Sequence, residues 1–419
     1  MYMRQFVGLA LAFILLPVIL KVYPKVFKGK KAPLGPILIL TGLIIGVIGG
    51  LPFGTMGDSF VRVFTTFSTL QTLIVVVEIG VLGSILKKYG ILERIVRALE
   101  QLIPSKKALI MILPGIMGML PVPGGAFLSA PFVDQLGTEL KMSGEQKSVV
   151  NLYFRHFAMF VLPYNTTILT IGSVMPELNI YSLIGLNLGF IAVLLGGAWF
   201  FYVRTAPDVK AEQSGSKGKA LLDVLKYMSP IYMAMVFNVV FGFDMYISVF
   251  CCILLTFFLI GKDKSEYLQS AIAGFGVDTL LMLVGVYFMQ NIVKNLDFVM
   301  SSVGPLLVGD SILTFILIVP LVGLAFGLST GISMVPLGIL LPFIAGMGLT
   351  GMTQTVYAFY ILVWSFLGYY FSPFHLCQLL TVKAMGCSSG SVYKEHMKMM
   401  PVLSVAAIAL FLAYRTIFG

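Results

Sequence analysis

The chain has 419 residues, of which 58% are of the AVILMFWYC class and only 11% are charged, with a formal net charge of +10. So apolar a chain of this length is excluded from the soluble globular class, because it could not cover its surface with polar groups. Nor does the basic excess mark a nucleic-acid binder, since the Lys and Arg residues fall between apolar runs, on alternate loops.

Apolar runs long enough to cross roughly 30 Å of hydrocarbon as helices recur along the chain. The first, about 5–21, has the look of a signal peptide. Five lysines follow it (Lys21, Lys25, Lys28, Lys30 and Lys31), with no small-residue cleavage site before them. It therefore reads as a membrane helix with its N-terminus outside. Further spans are predicted at about 35–52, 62–87, 148–174 and 180–203. After a Ser/Gly/Lys-rich linker, Pro207–Lys219, others follow at about 222–241, 244–260, 270–294, 355–383 and 400–418.

Two apolar segments, about 107–137 and 311–345, are interrupted at their middles by Pro121-Val-Pro-Gly-Gly125 and Ser329-Thr-Gly-Ile-Ser-Met-Val-Pro336. Each half is read as some 12–16 residues, too short to span, so both segments are expected to be re-entrant hairpins. The loops this topology places inside hold 23 of the 28 Lys and Arg residues. That asymmetry sets the orientation: linker cytoplasmic, both termini outside, in the inner (cytoplasmic) membrane of the cell.

Five spans and a hairpin precede the linker, and five and a hairpin follow it. Five is odd, so the second half is inverted relative to the first. Faint similarity supports a duplication. Gln71-Thr-Leu-Ile aligns with Asp278-Thr-Leu-Leu, and Ser84-Ile-Leu-Lys-Lys with Asn291-Ile-Val-Lys-Asn. Ser129-Ala-Pro-Phe aligns with Leu340-Leu-Pro-Phe, and Leu162-Pro-Tyr-Asn with Ser372-Pro-Phe-His, all in one order. The expected fold is all-α integral membrane, with two inverted-topology repeats, 1–206 and 221–419, joined by a linker at 207–220.

An inverted repeat puts the substrate site near the midplane, where helices break and free backbone groups for a ligand. Four breaks stand out. The first tip offers Pro123, Gly124 and Gly125, the glycines allowing close backbone approach. Pro163 is followed by Asn165, Thr166, Thr167 and Thr170. The second tip carries the hydroxyls of Ser329, Thr330 and Ser333. Pro373 is followed by His375, Cys377, Gln378 and Thr381.

Buried ionisable groups are costly in a membrane and point to function. Glu78, deep in the third span, and His375 are the proton-coupling candidates. Arg155 has two readings, a bidentate anion clamp or a side chain snorkelling to the inner interface. The four cysteines show no metal spacing and read as small apolar helix residues.

These features resemble the ion transporter superfamily of secondary carriers. The string Leu120-Pro-Val-Pro-Gly-Gly-Ala is similar to the Pro-x-Pro-Gly-Gly-Ala hairpin of its gluconate permease branch, and to a neighbouring uncharacterised family of prokaryotic membrane proteins. Neither tip carries the Ser-Asn-Thr motif of the dicarboxylate carriers. The resemblance implies a homodimer, with substrate and ions held by the tips and unwound helices. By position it implicates Gly124, Gly125, Asn165 and Thr166, then Ser329, Thr330, Ser333 and His375, with a Na+ site near Asn165 and Ser333.

The expected function is H+- or Na+-coupled carriage of a small organic anion by alternating access. The alternatives are Na+/H+ antiport without organic substrate, or a passive ion channel. No enzyme motif and no phosphate-binding loop is present, so neither catalysis nor an ATP-driven mechanism is expected, and no cofactor beyond a coupling Na+.

Overall fold

The computed structural model of the protein describes residues 33–119, 125–210, 216–260, 265–297 and 312–418, with isolated positions elsewhere. In hydrocarbon every backbone N–H and C=O must be satisfied within the chain, and the sequence answers with helices. Among the described residues there is no strand, only an isolated bridge between Ser105 and Lys210. Among the described residues, seven helical stretches are long and apolar enough to cross a bilayer, the mark of a multi-pass membrane protein. The expected first span, about 5–21, lies mostly outside the described residues.

The first half runs α1 (Leu34–Gly49), α2 (Phe53–Thr65), α3 (Phe67–Lys88), α4 (Ile91–Leu102), α5 (Lys106–Met119) and α6 (Gly125–Glu139). It continues with α7 (Gly144–His156), the single turn α8 (Ala158–Val161), α9 (Thr166–Val174) and α10 (Ile180–Ala198). A π-helical turn, Trp199–Val203, extends α10. The second half runs α11 (Lys217–Phe241), α12 (Met245–Leu259), α13 (Tyr267–Ala273), α14 (Val277–Lys294) and α15 (Ile312–Thr330). Then come α16 (Met334–Ala345), α17 (Gly351–Tyr370), α18 (Leu376–Ala384) and α19 (Ser389–Phe418).

The helices pack as two groups. In one, α14 lies along α1 and α2, α3 lies along α12 and α13, and α11 packs on α4 and α12. In the other, α7 packs against α5, α6, α10 and α19, and α17 against α15, α16, α10 and α19. Apolar tails of lipid give no hydrophobic drive for helix association, so close approach at small residues must supply it. A Cβ on Gly285 would lie 2.8 Å from the Gly35 carbonyl oxygen, and one on Gly327 2.5 Å from the Gly368 backbone. The α1–α14 and α15–α17 contacts thus require glycine. The two groups meet where α9 packs on α3 and α16 packs on α14.

Several boundaries differ from expectation. The 62–87 segment is broken at Thr66, where an extended residue separates the amphipathic α2 from α3. The 270–294 segment is likewise broken, between Ala273 and Val277, by Gly274 and Gly276. Residues 91–102, expected as loop, form a helix whose buried face is Ile91, Leu92, Ile95, Val96 and Leu99. That spacing is an amphipathic helical period diluted by charge. In the second interrupted segment the first limb, α15, has 19 residues, not 12–16, and is itself long enough to span. It folds back on the 12-residue α16 through a turn at Gly331–Ser333.

Candidate functional site

Two long helices break in the same manner. α7 opens with a capping box, Ser143 Oγ accepting from Gln146 N and Gln146 Oε1 from Ser143 N, and ends at His156. Pro163 has no N–H to donate, and its ring forbids continuation of the helix. The chain resumes at α9, whose N-cap Asn165 accepts from Thr167 N at 3.0 Å through Oδ1. Likewise α17 ends at Tyr370 and Pro373 interrupts the helix. The chain resumes at α18, with His375 as N-cap. There the side chain does not cap, and the connection is held by Ser372, whose Oγ donates to Leu328 O at 2.6 Å and accepts from Phe374 N.

The α15–α16 turn lies against this second break. Gly331 has φ +68°, and a Cβ there would lie 2.8 Å from the Phe374 backbone, so both conformation and space require glycine. Thr330 braces the turn, donating to Phe326 O at 2.6 Å and accepting from Ile332 N. Across from it, Thr167 Oγ1 and Ser333 Oγ stand 3.5 Å apart, joining residues 166 positions apart in sequence.

Between these elements lies a cavity of about 670 Å³. Asn165, Thr166 and Thr167 line it from the first break, Ser329, Thr330 and Ser333 from the turn, and Tyr369, Phe374 and Leu376 from the second break. Met159, Met282 and Leu34 supply apolar wall. Among the described residues none that lines it is charged. The N-termini of α9, α16 and α18 all end on the cavity, and each leaves backbone N–H groups without an intrahelical partner and a partial positive charge. Such ends favour anions.

Behind Tyr369 lies a buried polar cluster. His375 is fully buried, and its Nδ1 donates to Tyr370 O at 3.2 Å. His156 Nδ1 donates to Leu152 O at 2.7 Å, and its Nε2 accepts from the Tyr369 hydroxyl at 3.3 Å. The two imidazoles meet edge to face at 4.9 Å. Arg155 is buried beside Cys377, with Nη1 lacking any partner among the described residues.

Of the residues expected at the site, Asn165, Thr166, Ser329, Thr330 and Ser333 meet on the one cavity, and His375 lies buried between its lining neighbours Phe374 and Leu376. Pro123 and Gly124 lie outside the described residues, and Gly125 opens α6. Glu78 does not line the cavity. It sits half-buried on α3 with Oε2 unpartnered among the described residues. The snorkelling reading of Arg155 is overturned, because the side chain is only 7% exposed and held among Cys377 and Tyr369. Sequence reading missed Tyr369, which joins the cavity to the cluster, and the relay from Gln378 Oε1 through His396 to the Tyr153 hydroxyl. A tyrosine in an apolar helix carries no signal of its own. His396 lay in what read as a cytoplasmic loop, but α19 begins at Ser389 and buries it.

No curated protein matches the chain significantly. The family model described as "Protein of unknown function (DUF401)" matches residues 33–417, nearly the whole length, and the chain belongs to that family.

Proposed function

We propose that the protein is a secondary transporter that carries a small organic anion by alternating access, coupled to H+ or Na+. The observation that carries this reading is the convergence of three helix N-termini, an amide and several hydroxyls on one cavity of about 670 Å³. That is the equipment for an anion held without a fixed counter-charge. The buried Arg155, with an unpartnered Nη1, adds positive potential behind the wall.

The second part of the proposal is that the two halves are inverted repeats of an ion transporter superfamily carrier, similar to the gluconate permease branch and to a neighbouring uncharacterised family of prokaryotic membrane proteins. If α1 corresponds to α12, α3 to α14, α5 and α6 to α15 and α16, and α7 with α9 to α17 with α18, the helix contacts exchange in pairs. The α1–α14 contact maps onto α12–α3, α2–α14 onto α13–α3, α5–α7 onto α15–α17, and α6–α18 onto α16–α9. Of the contacts between the two helix groups, α9–α3 and α16–α14 lack extensive counterparts among the described residues.

That asymmetry is what one frozen state of a two-state carrier requires. With the lysine-rich loops inside, α9 belongs to the outer half of the membrane and α18 to the inner half. Phe374 and Leu379 are 48% and 44% exposed, whereas their repeat equivalents Tyr164 and Leu169 are 4% and 7% exposed. On this reading Tyr164 and Leu169 pack the outer side of the site, and the cavity opens inward past Phe374 and Leu379. By the same resemblance the carrier is a homodimer in the inner membrane, with both termini outside. Proteoliposomes loaded with labelled gluconate-like and dicarboxylate anions, under imposed H+ or Na+ gradients, test the reading. Uphill accumulation of an anion is expected. Sodium–proton exchange with no anion flux, or downhill flux alone, defeats it.

A further inference from the structure

We propose that His156 Nε2, His375 Nε2 and Cys377 Sγ form a three-donor site for a soft transition-metal ion, Cu+ in preference to Zn2+. One ligand atom from each of the three residues lies within 4.8 Å of the other two. A three-coordinate ion with metal–nitrogen bonds of about 2.0 Å and metal–sulfur bonds of about 2.3 Å needs donors roughly 3.5–3.8 Å apart. Side-chain rotation of about 1 Å closes the difference.

The hydrogen bonds around the rings point the same way. Each imidazole gives its Nδ1 proton to a backbone carbonyl, His156 to Leu152 and His375 to Tyr370. This is the outer-shell arrangement that fixes the tautomer of a metal-ligating histidine and leaves Nε2 with its lone pair. The His375 Nε2 is buried and has no hydrogen-bond partner among the described residues, and an orphaned acceptor in a protein interior needs an explanation. Among the described residues, the one hydrogen-bond partner of His156 Nε2 is the Tyr369 hydroxyl. The third donor, Cys377, takes a hydrogen bond from Arg155, and metal binding itself displaces the thiol proton to give the thiolate ligand.

Softness and charge choose the ion. One thiolate with two neutral imidazoles suits Cu+ or Zn2+ and not an alkali or alkaline-earth ion. The thiolate cancels the charge of Arg155, so the whole charge of the ion remains in a buried site. A monovalent ion is cheaper there than a divalent one.

A bound ion would tie the end of α7 to the start of α18 and fill the His375 lone pair that proton coupling needs. That consequence rests on the transport reading, but the binding itself does not. It is measured on the purified full chain in detergent, without flux. Cu+ kept reduced by ascorbate is titrated against a chromophoric Cu+ chelator, and Zn2+ against a fluorescent chelator. The wild type and Cys251→Ser, a cysteine away from the cluster, are expected to bind one equivalent. His375→Gln and Cys377→Ser are expected to weaken binding at least tenfold. X-ray absorption on the wild type, which needs no variant to fold, should give two imidazole nitrogens and one sulfur around the metal. Absence of stoichiometric binding of either ion, or a first shell without sulfur, overturns the proposal. Tighter Zn2+ than Cu+ binding overturns the preference.

Discussion

Asn165 and His375 hold the same place in two broken helices. Each is the N-cap of the helix that resumes after a proline, with φ and ψ of −64° and 136° at Asn165 and −62° and 110° at His375. They differ in what the side chain does. Asn165 caps its own helix through Oδ1, while the His375 side chain makes no cap on α18 and turns into the protein. Similar backbones with different side chains separate what builds the site from what specialises it.

The first prediction concerns binding. Asn165→Ala and Ser333→Ala each remove a polar group from the cavity wall, and both are expected to abolish transport in a reconstituted flux assay. Loss of the cap should cost Asn165→Ala about 1 kcal/mol of stability. Ser333 caps nothing, and Ser333→Ala should keep the wild-type melting temperature. Wild-type flux in both variants would make the breaks purely structural.

A second prediction tests the turn. At Gly331 a Cβ must adopt φ +68° and also meets the Phe374 backbone. The left-handed conformation alone costs roughly 1–2 kcal/mol for an L-residue. Gly331→Ala should therefore lower the melting temperature and impair transport together. Gly348→Ala has the same kind of backbone (φ +67°) but open space around it, and should impair stability less and transport little. Equal effects at the two sites would show that the close approach to Phe374 does not matter.

Most of the membrane architecture was legible because it rests on one strong constraint, the satisfaction of backbone groups in hydrocarbon. Apolar length placed the long helices, and Pro163 and Pro373 placed the breaks. What failed to show were features without a periodic or compositional mark. The α4 helix hides behind its charges, and α15 gained length that its turn-proximal Ser329 and Thr330 seemed to deny it. The His156–His375–Cys377 cluster joins residues more than 200 positions apart and follows no metal-ligand spacing. Asn165, Ser329 and Ser333 were found because helix breaks and hydroxyls coincide. Tyr369 was not, because nothing in sequence tells a lining tyrosine from a packing one.

The third prediction addresses the open side. Single-cysteine variants Leu379→Cys and Leu169→Cys sit at matching places, the first 44% and the second 7% exposed as leucine. In right-side-out vesicles without a gradient, a membrane-impermeant maleimide added outside should label neither. Added to inside-out vesicles, it should label Leu379→Cys alone. Labelling of Leu169→Cys from outside and protection of Leu379→Cys from inside would reverse the proposed orientation.

The last prediction concerns coupling, and His375 is its subject. A proton-coupled carrier needs a group whose charge can change while it faces either side, and histidine is the side chain whose ordinary titration range spans physiological pH. His375 lies between two cavity-lining residues, its Nδ1 fixed by a carbonyl and its Nε2 unpartnered among the described residues, so a proton has one place to go. Arg155, His156, Cys377 and Tyr369 lie around it, so a proton on Nε2 would place a second positive charge near the guanidinium. Protonation would therefore be favoured when an anion occupies the cavity beside the cluster, which links proton and substrate in one step. Glu78, off the cavity on α3, has no such link. His375→Gln keeps a polar side chain of similar reach but cannot carry the charge. It is expected to retain substrate exchange while losing accumulation driven by a pH gradient. Uphill transport by that variant with an unchanged pH profile would move the coupling to Na+, held by the oxygens of Asn165, Thr167 and Ser333.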